Sequence, residues 1–123
     1  MRLLLDTHVL IWWDEGAHLR PAALRAIREA DQVYVSAASA WEIAMKISIG
    51  RLSTRRVIAD AIRESGFEEL PVRISHAELL RDMPLHHRDP FDRLLAAQAM
   101  AEGLTIVTRD SAFDEYRVRV IQA

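Results

Sequence analysis

Cysteine is absent from this 123-residue sequence, which rules out disulfides, zinc–thiolate sites and thiol catalysis. The absence suits a reducing compartment. Long apolar runs are absent as well, since none approaches the roughly 20 residues that a membrane helix needs. The apolar start at residues 1–5 is followed at once by Asp6 and is too short for a signal peptide. These absences predict a cytoplasmic protein without a membrane partner.

An excess of positive charge is also missing. The sequence has 16 basic and 18 acidic side chains, which give a formal net charge of −2. A protein that coats nucleic acid is normally basic. Contact with nucleic acid therefore requires local positive charge or acids that bound cations neutralise, and this favours a metal enzyme over a simple binding protein. With half of its residues hydrophobic, the chain is expected to form one globular domain, residues 1–123.

Short apolar runs predict buried parallel strands. They are residues 3–5, 33–35, 104–108 and 118–121, with a weaker candidate at residues 67–72. Helical patterns fill the intervals: residues 21–30, a helix capped by Ser36 or Ser39 that ends at Gly50, residues 54–65, residues 75–81, and a last helix between Asp89-Pro90 and Gly103. This alternation predicts a three-layer α/β/α sandwich around a central, mainly parallel sheet of four to five strands.

Four acidic residues are expected to converge at one edge of that sheet. Asp6 and Asp110 each follow a predicted strand, and ligands of open α/β sheets bind beyond the carboxyl ends of the strands. The helix that carries Glu42 begins at the same edge. The helix that carries Asp92 runs antiparallel to the strand after it, so its first turn returns to this edge.

Convergence of carboxylates has an energetic consequence. Two unit charges ~4 Å apart repel by about 1 kcal/mol in water and by about 4 kcal/mol at an effective dielectric of 20. A bound cation or raised pKa values would relieve this repulsion. An all-oxygen set of ligands suits Mg²⁺ or Mn²⁺. The sequence therefore predicts a divalent-metal site.

Each acid also has a purely structural interpretation. Asp6 can simply end a strand, and Asp110 with Ser111 can cap a short helix. Asp89 can act as the N-cap before Pro90, Asp92 can be a first-turn acid favoured by the helix dipole, and Glu42 can belong to a capping box with Ser39. These interpretations leave unexplained why all the acids share one edge of the sheet.

The sequence resembles the PIN-domain nucleases, and among them the VapC-type toxins of type II toxin–antitoxin systems. The resemblance rests on four motifs in the family's order, which together span residues 1–116. They are residues 4–8 (LLDTH), 36–43 (SAASAWEI), 87–99 (HRDPFDRLLAAQA) and 106–113 (IVTRDSAF), with Tyr116 just beyond.

The resemblance implies a metal-dependent endoribonuclease that a cognate VapB-like antitoxin inhibits and that forms a homodimer. It implies catalytic and metal-binding roles for Asp6, Glu42, Asp92 and Asp110, with Mg²⁺ or Mn²⁺ as cofactor. Asp6 and Asp110 are the first choices as direct ligands. Hydrogen bonds from neighbouring side chains are expected to steady these carboxylates. The candidates for this supporting role are Thr7, Asp89, Thr108 and Ser111.

Basic residues near the acidic motifs are candidates for RNA contacts, because guanidinium groups bind phosphate well. These candidates are Lys46, Arg51, Arg55, Arg56, His87, Arg93 and Arg109. The alternative for each is an exposed surface position or pairing with a nearby acid. Residues 9–13 (VLIWW) are expected to lie mostly in the core. One of the two tryptophans is predicted to line a groove for a partner helix.

Two other functions fit parts of the pattern. A phosphoaspartyl phosphatase would carry a second Asp two residues after Asp6, where this sequence has His8, and a lysine after the later strands, where it has none. A non-catalytic nucleic-acid or protein-binding module on the same fold would be expected to lack one or more of the acids. None of the four is missing, so the nuclease interpretation is favoured.

Overall fold

A five-stranded parallel sheet forms the centre of the protein. The computed structural model describes residues 1–85 and 89–123. The strands are β1 (Arg2–Leu5), β2 (Gln32–Ser36), β3 (Glu68–Leu70), β4 (Thr105–Thr108) and β5 (Arg119–Gln122). Their order in the sheet is β3-β2-β1-β4-β5, and every neighbouring pair is parallel. The predicted sheet is confirmed, including the weak third strand.

Helices cover both faces of the sheet. They are α1 (Thr7–Glu15), α2 (Pro21–Glu29), α3 (Ala37–Ser48), α4 (Ile58–Glu64), α5 (Ile74–Leu79) and α6 (Pro90–Glu102), with 3₁₀ turns at Leu80–Asp82 and Ser111–Glu115. The helix predicted for residues 54–65 begins only at Ile58, and the one predicted for residues 75–81 ends in the first 3₁₀ turn. No helix in the described ranges is long and apolar enough to cross a membrane.

Side chains that alternate along the strands divide the core into two layers. Leu3 and Leu5 of β1 pack with α1, α2 and α3 on one face, whereas Leu4 packs with α6 on the other. All three leucines are fully buried. These two layers confirm the predicted three-layer sandwich, because a sheet with two apolar faces must be covered on both.

A buried amide ties α6 to the start of α3. Gln98 of α6 is fully buried, accepts a 2.5 Å hydrogen bond from the Ser36 hydroxyl and donates to the Pro71 carbonyl. Ser36 ends β2 and caps α3, since its Oγ accepts a hydrogen bond from the backbone N–H of Ala38. This bond fixes the helix that carries Glu42 relative to the one that carries Asp92.

Replacing Gln98 by Leu is expected to lower the free energy of unfolding by about 1–3 kcal/mol, because the buried Ser36 hydroxyl loses its acceptor. Chemical denaturation measures this loss. Gln122→Leu is the control, since Gln122 is exposed on β5 and its replacement should change stability by less than about 0.5 kcal/mol. Equal stability of Gln98→Leu and wild type would contradict a structural role for this bond.

Candidate active site

Asp6 lies at the point where the chain order of the sheet reverses. It directly follows β1, which has β2 on one side and β4 on the other. Its backbone N–H donates to the Val107 carbonyl, so the end of β1 is held against β4. In open α/β sheets, ligands bind in the crevice at such a switch point. Asp6 is therefore placed where the sequence predicted it.

Two hydrogen bonds fix the Asp6 carboxylate. The Thr108 hydroxyl donates to Oδ2 at 2.7 Å, and the Thr7 backbone N–H donates to Oδ1 at 2.6 Å. Burial raises the pKa of this carboxyl above its usual value, and the two hydrogen bonds oppose that shift. Because the side chain is almost fully buried, the ionised form of Asp6 would gain from a cation brought beside it.

Asp110 is coupled to Asp6 through Thr108. The same Thr108 hydroxyl that donates to Asp6 accepts a 3.0 Å hydrogen bond from the Asp110 backbone N–H. The Asp110 side chain accepts from the Ala112 backbone N–H at 2.9 Å and caps the second 3₁₀ turn. Asp110 therefore both caps this turn and lies at the edge of the sheet where the acidic residues meet.

Glu42 enters the site from α3 and is paired with a lysine. Its carboxylate Oε2 lies 2.8 Å from the Nζ of Lys46, one helical turn further on. Ser36 caps the helix, whereas Ser39 lies inside it and accepts a hydrogen bond from the Thr7 hydroxyl. Glu42 is thus paired with a cation in the site, and the capping box considered for it with Ser39 does not form.

Asp89 and Asp92 come from the start of α6. Asp89 is its N-cap, and its Oδ1 accepts from the backbone N–H groups of Phe91 and Asp92 at 2.8 and 3.3 Å. Asp92 lies in the first turn, as the sequence predicted. Trp41, the neighbour of Glu42, packs edge-on against Phe91 at 5.1 Å, which holds α3 beside the start of α6.

These acids line one cavity of about 370 Å³. Its lining residues are Asp6, His8, Trp12, Glu42, Lys46, Asp89, Asp92, Arg109 and Asp110. The carboxylate oxygens have the chemistry that Mg²⁺ and Mn²⁺ prefer, so the donor set fits such an ion. Within residues 1–85 and 89–123, no three acidic or histidine side chains are close enough to hold an ion together. Binding of one ion by three of them therefore requires these side chains to move closer together.

Two of the predicted cationic contacts reach this cavity. Lys46 and Arg109 line it. The Arg109 guanidinium lies over the Trp12 ring, with Cζ 4.2 Å from the ring centroid, and donates to the carbonyls of Ala123 and His18. These contacts hold the guanidinium beside the carboxylates.

Other predicted RNA contacts lie elsewhere. Arg56 is paired with Asp14 and Glu64, which also raise its pKa, with the Glu64 hydrogen bond as the largest cause. Arg93 donates to the carbonyls of Leu80 and Met83 and so links α6 to the first 3₁₀ turn. Neither side chain lines the acidic cavity.

The remaining predicted residues are distributed as follows. Arg51 and Arg55 are exposed outside the cavity, and Ser111 is exposed at the start of its 3₁₀ turn. His87 lies outside the described residues, as do His86 and Arg88. Thr7 supports Asp6 through its backbone rather than its hydroxyl.

His8 and Trp12 were not predicted as site residues, although both line the cavity. Their spacing carried the signal: His8 is two residues after Asp6 in the first turn of α1, and Trp12 is one turn further along the same helix. The two rings lie 5.8 Å apart. Any side chain on this face of α1 is brought to the acidic edge, because α1 begins there.

Trp12 also borders a second cavity of about 280 Å³. This cavity is lined by Trp12, Trp13, Gly16, Ala17, His18, Leu19, Leu24 and Arg28. Trp13 packs on Phe67 of the core at 5.5 Å and donates to the Ser65 hydroxyl, so the two tryptophans diverge, and each is half-buried. Both tryptophans line this cavity, and its use as a groove for a partner helix stays a prediction.

Fold and cavity together define a parallel α/β protein with carboxylates gathered at its switch point. The family model of the PIN domain matches residues 3–118. Ribonuclease VapC22 of Mycobacterium tuberculosis is 33% identical to this chain over an alignment that covers 94% of this chain and 92% of the relative. This chain belongs to the PIN-domain family.

Solved structures share the fold at lower sequence identity. The VapBC2 complex of Rickettsia felis, bound to a DNA fragment from its promoter, has a TM-score of 0.74 and 14% identity and covers 98% of each chain. A toxin–antitoxin complex from Klebsiella pneumoniae has a TM-score of 0.66 and 18% identity and covers 98% of this chain and 96% of its own. At such identities the likeness shows the fold alone.

Proposed function

We propose that this chain is a Mg²⁺- or Mn²⁺-dependent endoribonuclease that acts in the cytoplasm as the toxin of a toxin–antitoxin pair. The observation that carries the proposal is the cavity at the switch point, in which Asp6, Glu42, Asp92 and Asp110 converge from four separate segments. The relative with 33% identity bears the name of a ribonuclease, which supports RNA as the substrate. The occurrence of this fold in toxin–antitoxin complexes supports the biological role.

In this proposal each acid has a distinct task. Asp6 and Asp110 would hold the divalent cation, and the Thr108 hydroxyl contacts both residues. Glu42 and Asp92 would complete the coordination of the ion or orient the attacking water and accept its proton. When bound, the cation neutralises developing negative charge on the phosphate and lowers the pKa of water. Asp89 keeps the first turn of α6 in place as its N-cap.

The reaction is hydrolysis of an RNA phosphodiester. The water oxygen forms a new bond to phosphorus, and the bond from phosphorus to the leaving ribose oxygen breaks. The proton of the attacking water passes to a carboxylate, and the leaving oxygen takes a proton from solvent. Arg109, held on Trp12, provides a fixed positive charge beside the phosphate.

The partner in the proposed pair is a VapB-like antitoxin. The cavity beside Trp12 and Trp13 is largely apolar and shares Trp12 with the acidic cavity. An apolar segment of the antitoxin seated in it would lie next to the acids and block RNA. A homodimer completes the proposed assembly.

RNA cleavage tests the proposed function. A panel of structured cellular RNAs is incubated with the protein in Mg²⁺, in Mn²⁺ and in EDTA. We expect internal cleavage with either ion and none in EDTA. Intact RNA throughout, from a protein that circular dichroism shows to be folded, would refute the nuclease proposal.

Thr108→Val is expected to reduce cleavage by about 10–100-fold, since the hydroxyl that joins Asp6 to Asp110 is lost while the side-chain volume is kept. Thr108→Ser keeps the hydroxyl and is expected to keep most of the activity. Single-turnover rates on one RNA give the comparison. Equal rates for the Val and Ser variants would show that the hydroxyl does not position the acids.

A further inference from the structure

The pair of Glu42 and Lys46 brings a permanent cation into the acidic cavity. Nζ and Oε2 are 2.8 Å apart, and both residues line the cavity. Lys46 is the single lysine of the sequence. The sequence predicts only an RNA contact for Lys46, yet its ammonium lies next to a carboxylate that the metal is also proposed to need.

The two partners differ in their freedom to move. The Glu42 side chain is only 5% exposed, whereas that of Lys46 is 32% exposed. Glu42 lies on the buried face of α3 between Ser39 and Ile43, which are both buried. The flexible four-carbon stem of lysine can swing its ammonium while α3 stays in place. Lys46 is therefore the partner that can leave.

Arg109 cannot take this role. Its guanidinium is bound to two backbone carbonyls and stacked on Trp12. Among the described residues that line the cavity, five carry carboxylates, and Lys46 and Arg109 are the two that carry an ammonium or guanidinium group. Of these two cationic side chains, Lys46 is therefore the one that can move away from the carboxylates.

A divalent ion and the Lys46 ammonium compete for Glu42. Both are cations, and within a cavity of about 370 Å³ they repel each other. We propose that Lys46 is a tethered counter-ion that neutralises Glu42 in the metal-free protein. It leaves when a divalent ion binds and then contacts the substrate phosphate.

The exchange itself does not depend on catalysis, whereas the phosphate contact rests on the proposed ribonuclease function. Lys46 is a positioning residue for the metal through Glu42. The proposal predicts opposite effects of removing its charge: tighter binding of metal and weaker binding of RNA. A merely structural lysine would weaken both.

Lys46→Met tests the first effect. It keeps the length of the side chain and removes the charge. Calorimetric titration with Mn²⁺ is expected to show an affinity about tenfold above that of wild type. Arg81→Met is the matched control. Arg81 also forms an ion pair with a nearby glutamate, Glu78, but it does not line the acidic cavity. Unchanged or weaker Mn²⁺ binding by a folded Lys46→Met protein would overturn the proposal.

RNA binding tests the second effect. It is measured in Ca²⁺ with a short RNA that is checked for integrity after binding, so that all the proposed metal ligands stay in place. Lys46→Met is expected to lower affinity and to reduce the slope of log affinity against log salt by about 0.7, the contribution of one phosphate contact to a single strand. Lys46→Arg is expected to restore the slope. An unchanged slope in Lys46→Met would overturn the phosphate contact.

The wild-type protein provides a readout that does not depend on any variant. Reductive ¹³C-methylation labels Lys46 and the N-terminal amine only, so Lys46 gives one side-chain resonance. Mg²⁺ is expected to shift it towards the position of a free methylated lysine, and EDTA to reverse the shift. Such a shift without RNA cleavage would support the exchange and count against the ribonuclease. Cleavage by metal-loaded protein with no shift would overturn the exchange and leave the ribonuclease intact.

Discussion

Asp6→Asn is expected to fold normally and to lose metal-dependent RNA cleavage by more than about a hundredfold. Removing a residue that merely supports a metal ligand typically costs about 10–100-fold, and Asp6 is proposed as a ligand itself. The fold is expected to survive because Asn keeps the shape of the side chain. Its Oδ1 still accepts from the Thr7 backbone N–H, and its Nδ2 can donate to Thr108.

Asp60→Asn is the matched control for this prediction. Asp60 pairs with Arg63 on the surface of α4, far from the acids in sequence and outside their cavity. It is expected to retain full activity. Full activity of Asp6→Asn, with folding confirmed by circular dichroism, would remove Asp6 from the active site.

Acidification is expected to switch the enzyme off at a higher pH than an ordinary aspartate would. Burial raises the pKa of Asp6, and the ionised form is the one that binds a cation. Below this pKa the reactive fraction falls about tenfold for each pH unit. Cleavage rates at fixed, subsaturating Mg²⁺ measure this profile. A profile flat down to the usual range of aspartate would contradict the raised pKa.

Acidification is expected to lower cleavage but to raise the contribution of Asp6 to the stability of the metal-free protein. Because the folded state holds the Asp6 proton more tightly than the unfolded state does, the cost of the buried charge is present above the folded pKa. It is relieved as the pH falls through that pKa towards the unfolded value. The difference in unfolding free energy between wild type and Asp6→Asn isolates this term from the other carboxylates. Wild type is expected to gain relative to the variant on acidification.

Most of the sheet could be predicted, because β1, β2 and β4 contain short apolar runs. Leu3, Leu4 and Leu5 are buried on both faces of the sheet, which is the pattern typical of a central parallel strand. The start of α4 could not be placed, because the Thr54 hydroxyl accepts from the Arg56 backbone N–H and holds this segment in a turn. That contact competes with the helix and leaves no mark in hydrophobic periodicity.

The edge at which the acids meet followed from topology, whereas their partners did not. Strand order places Asp6 beside Asp110 whatever the side chains do. The partner of each cationic side chain depends on distances in the folded protein. Arg56 donates to Asp14, which is 42 residues away in sequence, and Arg93 donates to two backbone carbonyls. Lys46 could have been paired from sequence alone, because it lies four residues after Glu42 on one helix.

The most direct test of the account is the position of a bound divalent ion. Crystals grown with Mn²⁺ and measured near its absorption edge would show the ion as an anomalous peak. The account predicts a peak in the acidic cavity, contacted by Asp6 and Asp110, with the Lys46 ammonium withdrawn from Glu42. A peak outside this cavity, or an empty cavity at Mn²⁺ concentrations that support cleavage, would contradict it.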